Sequence, residues 1–245
     1  MKSHKTTLIG LALASVMALS GCSAVTTAVK KRDLEVQTKM SETIWLDPVG
    51  ADKRTIYVQV RNTTDKPIDI RDSLISKLSR KGYRVVQDPD AAHYWLQTNI
   101  LKLDKMDLRD AQSLLSSGYG AGISGAALGA LATGALTSHD NTLAAGGLLG
   151  ATVGLVADAM VEDVNYALIT DVQIVEKTDQ PVQSTEQANI KSGSSGSTHT
   201  TLTTTDNKKR VQTRILSNAN QVNLAFEEAA PALVDGLTTS ISGVF

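Results

Sequence analysis

The sequence predicts an α+β fold: a β-α-β-β type mixed domain, interrupted by a Gly/Ala-rich transmembrane helical hairpin and closed by a C-terminal amphipathic helix. Three observations lead there. Residues 55–103 alternate apolar and polar side chains around one helical stretch; from Gly118 to Val161 glycine, alanine and leucine replace that mixture; and Phe226, Ala230, Leu233, Leu237, Ile241 and Val244 recur at helical spacing. The implied division is a signal peptide over 1–21, a lipidated N-terminal segment over 22–54, a mixed α/β domain made of 55–110 and 163–245, and a membrane-inserted hairpin over 111–162.

The chain starts with Lys2 and Lys5, an apolar run from Leu8 to Leu19, and then Leu19-Ser20-Gly21-Cys22. A basic start, a short apolar stretch and small residues before a cut describe a signal peptide, too short for a membrane span. Cys22 is the single cysteine. At that position a thiolate can take a diacylglycerol group, and the amine freed by cleavage can take a third acyl chain such as palmitate. Several chains, at about 0.8 kcal/mol per buried methylene, hold a protein durably on a bilayer. The covalent lipid on Cys22 is the only prosthetic group expected. Ser23 stands where aspartate would resemble an inner-membrane retention signal, so the outer membrane is the expected address. With Cys22 acylated, no disulfide, cysteine nucleophile or thiolate metal site can be built.

Thr55 to Val60 reads as a half-buried strand through Ile56, Val58 and Val60, ended by Asn62-Thr63-Thr64-Asp65. Asp69 then caps a helix whose face is Ile70, Leu74, Ile75 and Leu78; Lys77, Arg80 and Lys81 load its C-terminal end and Gly82 stops it. Strands follow over 83–87 and 93–103. Beyond the hairpin, Leu168, Val172 and Ile174 mark one strand and Val211, Thr213 and Ile215 another. The polar stretch between them, Thr178 to Arg210, reads as a connection with a mobile Ser192–Ser197 tip, in which Thr200, Leu202 and Thr204 could pair as a short strand. Pro231 falls inside the closing helix, and the terminal Phe245 reads as its apolar end.

In the hairpin, Gly118–Leu136 and Leu143–Ala157 carry no charge and are separated by Thr137-Ser138-His139-Asp140-Asn141-Thr142. Taken on to Val161, each half would have about 19 residues and span roughly 28 Å, close to a bilayer's hydrocarbon core. Gly118, Gly122, Ala126, Ala130 and Gly134 recur every fourth residue, as do Gly146, Gly150 and Gly154, the pattern by which helix backbones approach closely in lipid. The second row continues to Asp158 and Glu162, which should face a partner helix, a wet lumen or the interface rather than lipid. Tyr119 and Tyr166 flank the open end as interfacial aromatics would.

Charge and chemistry exclude more than they select. A net charge of −1 offers no basic field, so nucleic acid is not an expected partner. Aromatics make up 4% of the chain, which favours small-residue interfaces and self-association. Gly120, Gly122 and Gly125 spell G-x-G-x-x-G, but no strand leads into it. His93, His139 and His199 lack ligand-spaced companions, so no metal is expected. Asp158/Glu162 and Glu227-Glu228 read as faces rather than acid–base pairs, and no enzymatic constellation emerges.

The lipobox ending at Cys22, the β-α-β-β start and the Gly/Ala run broken by Ser138-His139-Asp140-Asn141 together resemble the TraT family of outer-membrane lipoproteins of conjugative plasmids. The resemblance covers nearly the whole chain, and its most specific part is 118–163 after a lipidated Cys22. It implies surface exclusion, in which stable mating pairs with donors carrying a like plasmid are blocked, and serum (complement) resistance. The physical reading beside it is a homo-oligomeric ring seated in membrane lipid, with Thr137, Ser138, His139, Asp140, Asn141 and Thr142 reading a donor pilus or mating-pair protein. The alternative reading is a lipid-anchored oligomeric channel or an envelope-stabilising structural ring.

Overall fold

Apolar alternation in four separate stretches of the chain converges on one sheet. The computed structural model describes residues 31–121, 162–192 and 196–245. Its six strands are β1 (Glu35–Met40), β2 (Thr55–Asn62), β3 (Arg84–Val86), β4 (Tyr94–Lys105), β5 (Asp163–Ser192) and β6 (Gly196–Val222), in the spatial order β1-β6-β5-β4-β2-β3. Three α-helices accompany them among the described residues: α1 (Arg71–Arg80), α2 (Leu108–Ser116) and α3 (Phe226–Gly243). β2 runs parallel to both β3 and β4, which the crossover through α1 permits, while β4, β5, β6 and β1 are successively antiparallel.

One face of the sheet holds the main core. Ile56 and Val58 of β2, Leu96 and Ile100 of β4, Leu168, Val172 and Ile174 of β5 and Ile215 of β6 are buried under Leu74 and Leu78 of α1 and Leu233, Leu237 and Ile241 of α3. The two helices are tied to each other by Ser73 Oγ and Thr238 Oγ1, 3.1 Å apart, and by Lys77 Nζ donating to Asp235 Oδ1 at 2.7 Å. Gly236 lets α3 settle close to the sheet, since a Cβ there would lie 2.6 Å from Thr38 Oγ1. At the end of α3, Phe245 packs edge-on against Tyr83 and Tyr94, an apolar helix end. Among the described residues the opposite face is only partly covered: α2 seats Ala111 and Leu114 over Ala167, Ile169 and Leu216.

The expected α+β fold with a transmembrane helical hairpin is corrected by this architecture. The protein is predominantly sheet with short helices, and no helix among the described residues is long and apolar enough to cross a membrane. The longest, α3, has 18 residues and carries Glu227, Glu228 and Asp235. Two physical reasons account for the misreading. First, the described residues between Thr178 and Arg210 are strand: β5 and β6 have 30 and 27 residues and pair from Asp163↔Val222 out to Ser192↔Gly196. Its threonines favour extended backbone through their β-branch yet give no hydropathy signal. Secondly, the chain from 108 onward builds a short amphipathic helix on the sheet, which ends in Gly118 and Gly120 with φ of +77° and +75°. Both glycines are in the left-handed region that terminates helices, so the spacing row cannot begin at Gly118 as one helix face. The rest of the hairpin reading falls on 122–161, outside the described residues.

β1, within the stretch read only as a lipidated segment, pairs with β6 through Glu35↔Asn220 to Met40↔Ile215 and ties residues 35–40 into the sheet. Past Lys177↔Lys208 the register shifts to Val182↔Asp206, and the two strands continue as a ribbon with no further neighbour in the sheet. Pro181, which has no N–H to give the ladder, lies in that shift.

Leu237 is fully buried between α3 and the sheet. Leu237→Ala is therefore expected to lower unfolding free energy by about 2–5 kcal/mol, read as a reduced urea midpoint at unchanged slope.

Candidate functional site

On the partly covered face, β6 carries Arg214 inward toward α2 with none of its side chain exposed. Every one of its guanidinium N–H groups has an acceptor. Nε donates to Asp171 Oδ1 at 2.7 Å; Nη1 to the Leu114 carbonyl at 3.1 Å and Ser117 Oγ at 2.8 Å; Nη2 to the Ala121 carbonyl at 2.7 Å and Asp171 Oδ2 at 3.1 Å. Asp171, the register partner of Arg214 on β5, also accepts from the Gly120 N–H at 2.9 Å. A fully hydrogen-bonded, bidentate buried pair thus clamps the C-terminal end of α2 and the chain at Gly120–Ala121 onto the sheet. The left-handed φ of Gly120 aims its N–H at the carboxylate. That glycine belongs to the G-x-G-x-x-G pattern, and its N–H serves a side chain of the same molecule.

The far flank of residues 122–161 is fixed differently. Glu162 exchanges hydrogen bonds with Asn223, whose Oδ1 accepts from the Glu162 N–H at 2.9 Å and whose own N–H reaches the Glu162 carbonyl at 2.8 Å. Asn223 has φ of +53°, which asparagine tolerates better than most residues. Glu162 also lies 3.6 Å from Lys105 Nζ. Asp163 and Asp171 stand eight positions apart on β5, so the two attachments lie roughly 25 Å apart along the sheet at about 3.3 Å per residue.

Beside the Arg214 clamp the open face bears a row of amides. Gln59, Gln97, Gln173 and Gln212 are register partners on β2, β4, β5 and β6. Gln97 Nε2 donates to Gln59 Oε1 at 2.8 Å, Gln173 Nε2 to Gln97 Oε1 at 2.8 Å, and Gln212 Nε2 to Gln173 Oε1 at 2.6 Å. Next to this ladder lies a cavity of about 560 Å³ bordered by Arg61, Asn99 and Tyr119.

A third cluster sits at the other end of the main core. His93 Nε2 is 3.8 Å from Glu176 Oε1, Tyr94 Oη donates to the same oxygen at 3.4 Å, and Lys209 Nζ is 3.8 Å from Glu176 Oε2. Burial lowers the His93 pKa from its ordinary 6.5, opposed by the Glu176 carboxylate and reinforced by Lys53 and Lys177. Burial raises the pKa of Tyr94, and Glu176 raises it further.

Of the residues singled out from sequence, Gly118 ends α2, where a Cβ would meet nothing within 4 Å. Cys22, Thr137, Ser138, His139, Asp140, Asn141, Thr142, Gly122, Ala126, Ala130, Gly134, Gly146, Gly150 and Gly154 lie outside the described residues. The described residues contain no group of three metal-binding side chains. Sequence reasoning missed Arg214 and the glutamines. A lone arginine between Thr213 and Ile215 was a visible signal for the first. The glutamines are brought together only by non-local register.

Comparison with known proteins places this architecture. Residues 33–245 match the family described as "Enterobacterial TraT complement resistance protein". A TraT complement resistance protein of Escherichia coli is 50% identical over 233 residues, 95% of this chain and 94% of its own. Another, from Escherichia coli strain K12, is 49% identical over 245 residues, 100% of this chain and 99% of its own. A TraT complement resistance protein of Wigglesworthia glossinidia brevipalpis is 30% identical over 229 residues, covering 93% of this chain and 91% of its own.

Two outcomes follow from the clamp and the histidine cluster. Arg214→Met strands the Asp171 carboxylate and the Leu114 and Ala121 carbonyls, so it is expected to cost about 3–5 kcal/mol of stability and to open 117–121 to limited proteolysis. For His93, the folded pKa lies below the unfolded one, so its contribution is complete above pH 6.5 and is lost as pH falls through the folded value. His93→Gln should flatten the decline of urea midpoint on the acid side of pH 6.5; an unchanged decline would assign it to other groups.

Proposed function

The chain belongs to the TraT family of complement resistance proteins, and from that premise we propose that it is an outer-membrane lipoprotein, acylated on Cys22, that acts in surface exclusion as a homo-oligomer. The observation that carries the anchoring is Leu19-Ser20-Gly21-Cys22 behind a basic, then apolar, start. A thiol at that position is what acylation requires, and the cysteine has no competing use in a chain with only one. Ser23 after it favours the outer membrane as destination.

Support for self-association comes from the ribbon. From Val182 to Ser192 and from Gly196 to Asp206, each strand pairs only with the other among the described residues, so within them both outer edges present N–H and C=O groups outside the ladder. At about 3.3 Å per residue the ribbon extends roughly 35 Å, and an isolated two-stranded ribbon is marginal in water. The outer edge of β5 in one copy and of β6 in the next are different surfaces, so pairing them is head-to-tail and closes into a ring when the rotation allows. Strand edges, rather than glycine-lined helices, are the contact invoked here.

For partner choice, the polar string Thr137–Thr142 is the proposed reader of a donor pilus or mating-pair protein. It is a short hydrophilic interruption in a long uncharged stretch, the kind of polar segment in which substitutions alter recognition directly.

Cys22→Ser is expected to abolish incorporation of labelled palmitate, release the protein from outer-membrane fractions and reduce both exclusion and serum survival to near the level of cells lacking it. A parent protein that takes up no acyl label overturns the anchoring. Replacing 183–205 by Asn-Gly should leave the urea midpoint unchanged and convert the oligomer to monomer by sedimentation; a shortened chain that still assembles removes the ribbon from the interface.

A further inference from the structure

The amide row has a geometry that sheet stability alone does not require. Four carboxamides, one per strand, are linked head to tail in one direction from Gln212 to Gln59. Each linked amide uses one N–H or one oxygen lone pair toward each neighbour and keeps another N–H and lone pair for a ligand. The ladder is partly solvent-facing, with Gln59 and Gln212 exposed. Its side chains are already held in place, so the ordering that usually opposes binding by long flexible residues is largely complete beforehand.

The surroundings narrow the ligand. The adjoining cavity, about 560 Å³, falls in the range of small-ligand sites. Tyr119, 39% exposed, borders it at the end of α2, and Asn99 lies between Arg61 and Asp171 in the neighbouring row of the face. Asn99 Oδ1 is buried without a hydrogen-bond partner among the described residues, so it adds no accessible acceptor to the cavity wall. The Asp171 carboxylate is already bound to Arg214, which leaves Arg61 the one cation among the lining residues. A polyphosphate would want several cations, and an apolar peptide would want an apolar floor. Amides that both donate and accept, beside an aromatic ring, instead match hydroxyl groups, which also do both.

Spacing fixes the class further. Adjacent strands lie about 4.8 Å apart, so the four glutamines repeat at that interval across the sheet. An extended β-1,4-linked sugar chain advances by close to one strand spacing per ring, whereas an α-1,4-linked chain curls away. We propose that this face binds an uncharged, extended β-1,4-linked oligosaccharide lying across β2, β4, β5 and β6, one ring per glutamine, with Tyr119 at the border of the site. The site is independent of Cys22 and of the ribbon edges.

The test is calorimetric titration of the full-length, detergent-solubilised protein with chitotetraose, cellotetraose and maltotetraose. Either or both β-1,4-linked tetramers bind, and maltotetraose binds at least about tenfold more weakly, the scale set by a site whose polar groups are left unpaired. Gln97→Leu/Gln173→Leu weakens the β-1,4-linked ligand by about tenfold or more, and Tyr119→Ala weakens it separately. Since the ladder variant could disturb the sheet, a second reading uses Trp45→Phe, which leaves Trp95, on the same face two residues from Gln97, as the sole tryptophan. Its fluorescence changes with chitotetraose or cellotetraose and not with maltotetraose. No heat with either β-1,4-linked tetramer up to about 10 mM, a range in which binding free energies fall below about 3 kcal/mol, overturns the proposal. So does equal affinity for maltotetraose, or unaltered binding in the folded ladder variant.

Discussion

A charge that has no water around it must be satisfied by the protein, and Arg214 is that charge here. With its side chain wholly buried, its donors are met by the Asp171 carboxylate, Ser117 Oγ and the Leu114 and Ala121 carbonyls. The arrangement joins three parts of the chain that no hydrophobic contact would place so narrowly: the middle of the β5–β6 hairpin, the end of α2, and the residues leading into the Gly/Ala-rich stretch. Buried ion pairs contribute little net stability against an apolar alternative, but they penalise every arrangement in which a partner is lost. What the pair supplies to this fold is therefore position: α2 sits where Ala111 and Leu114 cover Ala167, Ile169 and Leu216, and the left-handed Gly120 is held by its N–H.

Once α2 is fixed, the two faces of the sheet take different roles. The face under α1 and α3 is a continuous apolar core, and it is closed at one end by Tyr83, Tyr94 and Phe245. Among the described residues the opposite face is covered only near α2, and beside it lies the row of amides in register. Among the described residues, the extended part of β5 and β6 adds no buried apolar side chain to either face. It is an extension whose backbone edges, not its side chains, are its resource. Core, polar face and ribbon edges are thus separable features of one hairpin.

Much of the core was legible from local alternation. Ile56 and Val58, the Ile70–Leu74–Leu78 face, Leu168, Val172 and Ile174, and the Phe226–Val244 spacing each carry their period in a few residues. The long ribbon was not legible, because a sequence such as Thr198–Thr205, mostly threonine, carries no apolar alternation. Arg214 was passed over for a related reason: Val211, Thr213 and Ile215 mark one face of the strand, and nothing local shows that α2 covers the residue between them. The glutamines became a row only through pairings 38, 76 and 39 positions apart in the chain. The glycine periodicity from Gly118 suggested one helix, yet two left-handed glycines stop α2 first. The resemblance marked the family well, whereas glycine spacing marked the course of the chain around Gly118 poorly.

The central claim is that a buried Arg214–Asp171 pair pins the chain at Gly120 to the middle of the sheet. Amide hydrogen exchange at Gly120 tests it most directly, because that N–H is bonded to Asp171 and to nothing in a helix or ladder. Protection at Gly120 approaching that of the amides in β5 near Asp171, and lost together with it on unfolding, is the result this structure predicts. Exchange at Gly120 as fast as in an exposed loop, while β5 stays protected, would contradict it.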